Sequence, residues 1–168
     1  MTKEELAFSS FFMGEGCLCI NVQRRKSGNR KGKNYGKKFI PWVRQVCKIT
    51  LRQDDEKIID WIKNLMGGSV LMRGYRPNVK NHLTGKITTS KPIIIWQTQS
   101  LEDCKRVCKL VIENPIPCKK KEEAKYMLEF LEYKSKCYKR GISYTEEQMQ
   151  KFYYYKDLVS NLKKFKEK

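Results

Sequence analysis

Histidine is almost absent: the 168 residues include one, His82. None of the seven cysteines forms a Cys-x-x-Cys pair. Cys17 and Cys19 alternate, Cys104 and Cys108 lie one helical turn apart, and Cys47, Cys118 and Cys137 are scattered. A zinc site needs more closely grouped ligands, and no histidine or cysteine is placed for nucleophilic catalysis. Such thiols read as reduced and mostly buried, in an intracellular reducing compartment (cytoplasm, nucleoid or organelle) rather than in a secreted protein. No apolar run approaches the roughly 20 residues of a spanning helix. Glu4 and Glu5 read against a signal peptide. Acidic residues are also in short supply, 18 against 36 Lys and Arg, for a net charge of +18.

That excess points to a polyanionic partner, most simply nucleic acid, with an anionic membrane surface as the alternative. Hydrophobic residues make up 40%, so the chain folds and is not a disordered basic tail. The length suits a single domain spanning 1–168.

Thr2 followed by Glu5 reads as a capping box that starts a helix near Lys3. Leu6, Phe8, Phe11 and Phe12 give it apolar surface, and the small Ser9 and Ser10 keep one face shallow. Residues 17–25 alternate: Leu18, Ile20 and Val22 to one side, Cys19, Asn21, Gln23 and Arg25 to the other. This is a half-buried strand with a polar outer face. Asn, Gln and Arg read base edges in a major groove, and the same pattern also suits a plain solvated face. Residues 24–38 are rich in Lys and Arg, with Gly28, Gly32, Gly36 and Tyr35 among them. They read as a hairpin loop carrying phosphate contacts, Lys31 and Lys33 included.

A second strand is expected over 39–53, with Trp42, Arg44, Val46 and Lys48 on one face and Val43, Gln45, Cys47, Ile49 and Leu51 on the other. Asp54 or Asp55 caps a helix through Ile58, Ile59, Ile62 and Leu65 that stops at Gly67-Gly68. A third strand, 69–75, points Val70 and Met72 inward and Leu71, Arg73 and Tyr75 outward. Residues 76–90 read as a polar loop and 91–98 as a fourth strand. Ser100 with Asp103 opens the next helix. After the break at Asn114-Pro115-Ile116-Pro117, Lys119-Lys120-Lys121 precede a helix bearing Ala124, Met127, Leu128 and Leu131. Thr145 with Gln148 opens a last helix, basic from Lys163 onward.

The most informative stretch is 8–16, Phe-Ser-Ser-Phe-Phe-Met-Gly-Glu-Gly, where a helix breaks directly into a strand. A carboxylate at a helix C-terminus opposes the helix dipole, and a bound cation removes that conflict. The flanking glycines let two backbones approach closely. Read alone, these residues are also a helix ending in a glycine cap with an exposed Glu. The stretch resembles the signature of the LAGLIDADG homing endonucleases. Phe8 takes the place of the first Leu, Ser9 and Ser10 that of the Ala-Gly pair, and Gly14, Glu15 and Gly16 that of the closing Ala/Gly-Asp/Glu-Gly. Met13 departs from the Asp often found there.

The resemblance covers roughly 6–135 and implies an α+β fold. It predicts a LAGLIDADG-type αββαββα unit (core about 3–135) with a curved four-stranded antiparallel saddle sheet. C-terminal helices (about 136–168) are added to it. The motif occurs once, which implies a homodimer with Ser9, Ser10, Met13 and Gly14 at its two-fold interface.

The implied activity is that of an intron-encoded homing endonuclease, cutting double-stranded DNA at a long pseudo-palindromic site by metal-dependent phosphodiester hydrolysis. Mg²⁺ takes hard oxygen ligands; Mn²⁺ substitutes, and Ca²⁺ supports binding only. Glu15 and the Gly14 carbonyl are the implied ligands. The implied catalytic set adds Lys120, with Lys119 and Lys121 as competitors, and Gln53, with Arg52 next. Three lysines at a helix N-terminus oppose the dipole, which suggests an anionic partner. Asn21, Gln23, Arg25, Lys31, Lys33, Arg44, Lys48 and Arg73 are the expected DNA contacts. No membrane and no small-molecule substrate are expected. The alternative is a non-cleaving relative that binds DNA or intron RNA, a maturase; an unrelated basic binding module is the third class.

Overall fold

The computed structural model describes residues 1–26, 39–74, 76–80, 85, 87–138 and 143–163; of 24–26, 39–40, 76–80 and 87–90 it describes the backbone alone. The order is α1 (Lys3–Glu15), β1 (Gly16–Lys26), β2 (Phe39–Arg52), a short 3-10 turn (Gln53–Asp55), α2 (Glu56–Met66), β3 (Ser69–Arg73), β4 (Arg76–Lys80), β5 (Ile87–Ser90), β6 (Ile93–Thr98), α3 (Leu101–Glu113), α4 (Lys120–Cys137) and α5 (Glu146–Lys163). Among the described residues no helix is long and apolar enough to cross a membrane.

Local chemistry sets the helix starts. The Thr2 hydroxyl accepts from the Glu5 N–H at 3.1 Å, and the Glu5 carboxylate accepts from the Thr2 N–H at 3.0 Å, a complete capping box. These bonds and the Arg106 guanidinium 3.0 Å away hold the Glu5 carboxyl below its ordinary range. Ser100 accepts from the Asp103 N–H at the start of α3.

Four strands form one antiparallel sheet in the order β1-β2-β6-β3. Its registers sort the side chains into two faces. Leu18, Ile20, Val22, Cys47, Ile49, Ile94 and Trp96 are buried in the core with the helices. Trp96 meets Phe8 edge-on, ring centroids 5.8 Å apart, and its indole N–H donates to the Gly67 carbonyl at 2.7 Å. Gly68 has φ +84°, and a Cβ there would lie 2.7 Å from the Gln97 carbonyl, so the α2–β3 turn requires glycine.

Two strand expectations are corrected. β2 ends at Arg52, so Gln53 opens the 3-10 turn. Met72 lies opposite the buried Ile94, on the inward face as expected, yet is 56% exposed. β3 is an edge strand of the sheet, with a neighbour on one side only among the described residues. Residues 76–90, expected as a loop, contain the two-stranded ribbon of β4 and β5, with Val79 opposite Thr88 and Lys80 opposite Ile87. Their polar composition concealed a run of β-branched residues, Val79, Ile87, Thr88 and Thr89. His82 and Tyr75 lie outside the described residues.

β6 pairs with β2 only from Cys47 to Arg52. Beyond that point α4 supplies the missing donor: the buried Lys134 ammonium donates to the Val43 carbonyl at 2.9 Å and to Gln45 Oε1 at 2.6 Å. The Gln45 amide donates in turn to the Gln99 carbonyl at 2.6 Å. Burial pushes the Lys134 pKa down. Lys134→Met keeps the packing of the stem but strands two buried acceptors, at a cost of about 1–3 kcal/mol. The expected result is a lower urea midpoint with an unchanged slope; an unchanged midpoint contradicts it.

Candidate functional site

The site begins where α1 ends. The Gly16 N–H donates to the Phe12 carbonyl and closes the last turn. A Cβ on Gly16 would lie 2.4 Å from that carbonyl oxygen and 2.5 Å from the buried Phe12 ring. Only glycine lets the chain pass from helix to strand this tightly. The turn leaves Glu15 exposed at the C-terminal pole of the helix, with no basic residue in its last turn. Among the described residues no hydrogen bond or ion pair reaches its carboxylate.

Basic groups converge on the same turn from helices distant in sequence. The Lys120 ammonium, at the start of α4, donates to the Gly16 carbonyl. Lys121 donates to the Asn114 carbonyl, and Lys119 is exposed at the helix cap. Of the three lysines, Lys120 is the one bonded at the Glu15–Gly16 corner. Lys163, at the end of α5, donates to the Leu18 carbonyl and lies 3.6 Å from Cys17 Sγ. Glu123, one turn after Lys120, is buried, and its Oε2 has no hydrogen-bond partner among the described residues. Burial pushes its carboxyl up, opposed by Lys163 and Lys120.

Sequence reasoning missed Lys163 and Glu123 at this corner. Lys163 was marked only by a basic helix end, and Glu123 by nothing.

The outer face of the sheet follows from the registers. Asn21 pairs with Arg44, Cys17 with Lys48, Lys48 with Gln97, and Gln97 with Ser69. One face therefore carries Asn21, Gln23, Trp42, Arg44, Lys48, Thr50, Arg52, Gln97, Ser69 and Arg73, away from the helices. The Arg44 guanidinium lies 5.8 Å from the Trp42 ring centroid, and its Nε is buried without a hydrogen-bond partner among the described residues. Thr50 and Gln97 belong to this polar face and went unnoticed in the sequence. Arg25 pairs with Ile40 in the same strand pair. Lys31, Lys33 and most of the basic loop lie outside the described residues.

Gln53 is exposed, and its N–H donates to the Pro92 carbonyl at 3.3 Å. It lies about 13 Å along the chain past Ile49, the partner of Gly16, at roughly 3.3 Å per residue. No described hydrogen bond joins it to Glu15 or Lys120. The competing Arg52 pairs with Asp54 at 3.0 Å.

Two expected interface residues point the wrong way. Ser9 is fully buried inside the protomer and Met13 is 9% exposed, so neither offers useful surface to a second copy. Asn114, buried at the end of α3, donates to the Ser9 hydroxyl at 2.8 Å and to the Ser10 hydroxyl at 2.9 Å. Its Oδ1 accepts from the Ile116 N–H. The outward stripe of α1 is instead Ala7, Ser10, Phe11 and Gly14, spaced i, i+3, i+4, i+7. A Cβ on Gly14 would meet nothing within 4 Å.

No protein-family model matches the sequence, and no curated protein matches it significantly. Solved structures do. The homing endonuclease I-CvuI, in complex with its target and Ca, superposes with a TM-score of 0.63 at 15% identity, over 98% of this chain and 84% of that one. The homing endonuclease I-TnaI gives a TM-score of 0.61 at 20% identity, over 97% and 95%. The LAGLIDADG homing endonuclease I-LtrWI, bound to target DNA, gives 0.57 at 21% identity, over 89% of this chain but 42% of its own length. This chain has the LAGLIDADG homing endonuclease fold.

Proposed function

We propose that this chain is a site-specific double-strand DNA endonuclease acting as a homodimer, its single domain carrying half of each site. The observation that supports this best is the Gly14-Glu15-Gly16 corner. An exposed carboxylate stands at the negative pole of a helix, beside an open glycine face and a bonded lysine. That donor set suits a hard divalent cation. Mg²⁺ would be held by the Glu15 carboxylate and the Gly14 backbone carbonyl; bound there it supplies a polarised phosphoryl oxygen and an activated water.

One protomer gathers no group of three or more His, Cys, Asp or Glu among its described residues. The second Glu15, brought in by packing of the α1 stripe against its twin, and oxygens of DNA and water would supply the remaining ligands. Lys120 offsets negative charge developing at the scissile phosphate. Asn21, Gln23, Arg25, Arg44, Lys48 and Arg73 contact the duplex from the outer face of the sheet, and Lys31 and Lys33 extend the contact along the backbone. Gln53 orders water at the rim.

Duplex binding tests this reading. If six to ten phosphates are neutralised, affinity falls by about 10³–10⁵ between roughly 50 and 200 mM salt. An affinity that is flat over that range contradicts a backbone-tracking interface.

A further inference from the structure

The corner described above contains a chemical group that hydrolysis does not use. Cys17 and Cys19 alternate on β1 and point to the same side, and their sulfurs are 3.3 Å apart. Both are half-buried, within reach of small reagents. The Lys163 ammonium lies 3.6 Å from Cys17 Sγ and is otherwise committed to the Leu18 carbonyl. Cys47 also meets the thiols of Cys104 and Cys108, but no other pair is close and accessible. Cys47, Cys104 and Cys108 are buried in the core. Cys118 precedes α4 and Cys137 ends it, so the length of an 18-residue helix, about 27 Å, separates them.

We propose that Cys17 and Cys19 are a peroxide-responsive dithiol that closes reversibly to an intrastrand disulfide and thereby controls the strand leading out of the Glu15 corner. Cys17 sulfur attacks a peroxide oxygen. The O–O bond breaks, hydroxide leaves and takes up a proton as water, and Cys17 becomes a sulfenic acid. Cys19 sulfur, giving up its proton, attacks the Cys17 sulfur; the S–O bond breaks and a second water leaves. Two thiols and one hydrogen peroxide become one disulfide and two waters.

Geometry makes this bond labile. Residues two apart on a strand have Cα atoms about 6.6–6.8 Å apart, at the upper limit for a disulfide. Closing the sulfurs to about 2.05 Å therefore draws the strand in. Strained, accessible disulfides are the easily reduced ones. The contraction falls where Cys17 pairs with Lys48 and Cys19 with Val46, between Glu15 and the base-facing Asn21. It also costs Lys163 its thiol neighbour. Bridged protein is thus expected to bind duplex severalfold more weakly. That effect rests on the endonuclease reading; the bridge does not.

The test treats whole protein with hydrogen peroxide and then a phosphine reductant, with peptide masses and duplex affinity read together. The peptide carrying both cysteines should lose about 2 Da, the two thiol hydrogens, and regain them on reduction. Cys19→Ser should lose the bridge and trap Cys17 as a dimedone-reactive sulfenic acid. The Cys17→Ser/Cys19→Ser double variant should keep duplex affinity through the treatment. The proposal is overturned if Cys118 or Cys137 oxidises while no bridge forms between 17 and 19. It is also overturned if bridged protein binds duplex as well as reduced protein does, or if the double variant loses affinity equally. Reduced protein that binds no duplex at all defeats the endonuclease reading, while the peptide mass still decides the bridge.

Discussion

Glu15→Gln is expected to abolish strand cleavage and to leave duplex affinity intact or improved. The carboxylate is exposed and unbonded among the described residues, so the amide disturbs neither packing nor a hydrogen bond and the melting temperature should not move. What changes is the charge at the negative end of α1. A catalytic cation contributes several kcal/mol of transition-state stabilisation, so losing its main protein ligand costs about 10³-fold or more in rate. Affinity responds differently. In the proposed dimer two Glu15 carboxylates face each other and the DNA phosphates, and in the absence of metal that repulsion opposes binding. The paired measurement is nicking rate with Mg²⁺ and duplex affinity with Ca²⁺. Cutting at the wild-type rate would remove the metal-site assignment.

Gly14→Leu is expected to leave the protomer as stable or more stable, and to destroy the dimer. Inside the protomer a Cβ at this position meets nothing, and the residue is helical. Gly14 is the second-last residue of α1, so leucine favours the helix there by less than the interior value of about 1 kcal/mol. The opposite effect comes from outside. Gly14 lies in line with Ala7 and Ser10 on the exposed stripe of α1, where small side chains permit two helices to touch. A leucine there overpacks the contact by about 1–3 kcal/mol at each of the two symmetric copies. Sedimentation should show monomer where wild type is dimer, a thermal scan should show no loss of protomer stability, and cleavage should disappear. A leucine variant that still sediments as the wild-type dimer contradicts the α1 interface. So does wild-type protein that is monomeric with and without DNA.

These two residues also show where the sequence could be read and where it could not. The Thr2–Glu5 capping box and the alternation of Leu18, Ile20 and Val22 are local patterns, and local hydrogen bonding and strand pleat dictate them directly. Glu15 stood out because a carboxylate between glycines at a helix end conflicts with the dipole.

The choice between Ser9 and Ser10 was not local. They are neighbours on a helix whose Leu6, Phe8, Phe11 and Phe12 leave no polar face to mark the outside. Packing decides it: Ser9 is fully buried and Ser10 only partly, while Asn114, more than a hundred residues later, bonds both hydroxyls. Lys163 and Glu123 reach the corner through the packing of α4 and α5, a tertiary outcome that no spacing encodes. The β4–β5 ribbon was hidden because polar strands lack the hydrophobic alternation that reveals β1.

The most direct measurement is selection of cut ends from a randomised duplex library, incubated with wild-type protein and Mg²⁺ and carried through repeated enrichment. Cut ends on both strands should converge on one pseudo-palindromic sequence, and the Glu15→Gln protein should yield none above background. The endonuclease reading is contradicted if the wild-type protein binds duplex yet yields no cut ends above background in Mg²⁺ or in Mn²⁺. That outcome would make the chain a DNA-binding protein on an endonuclease fold.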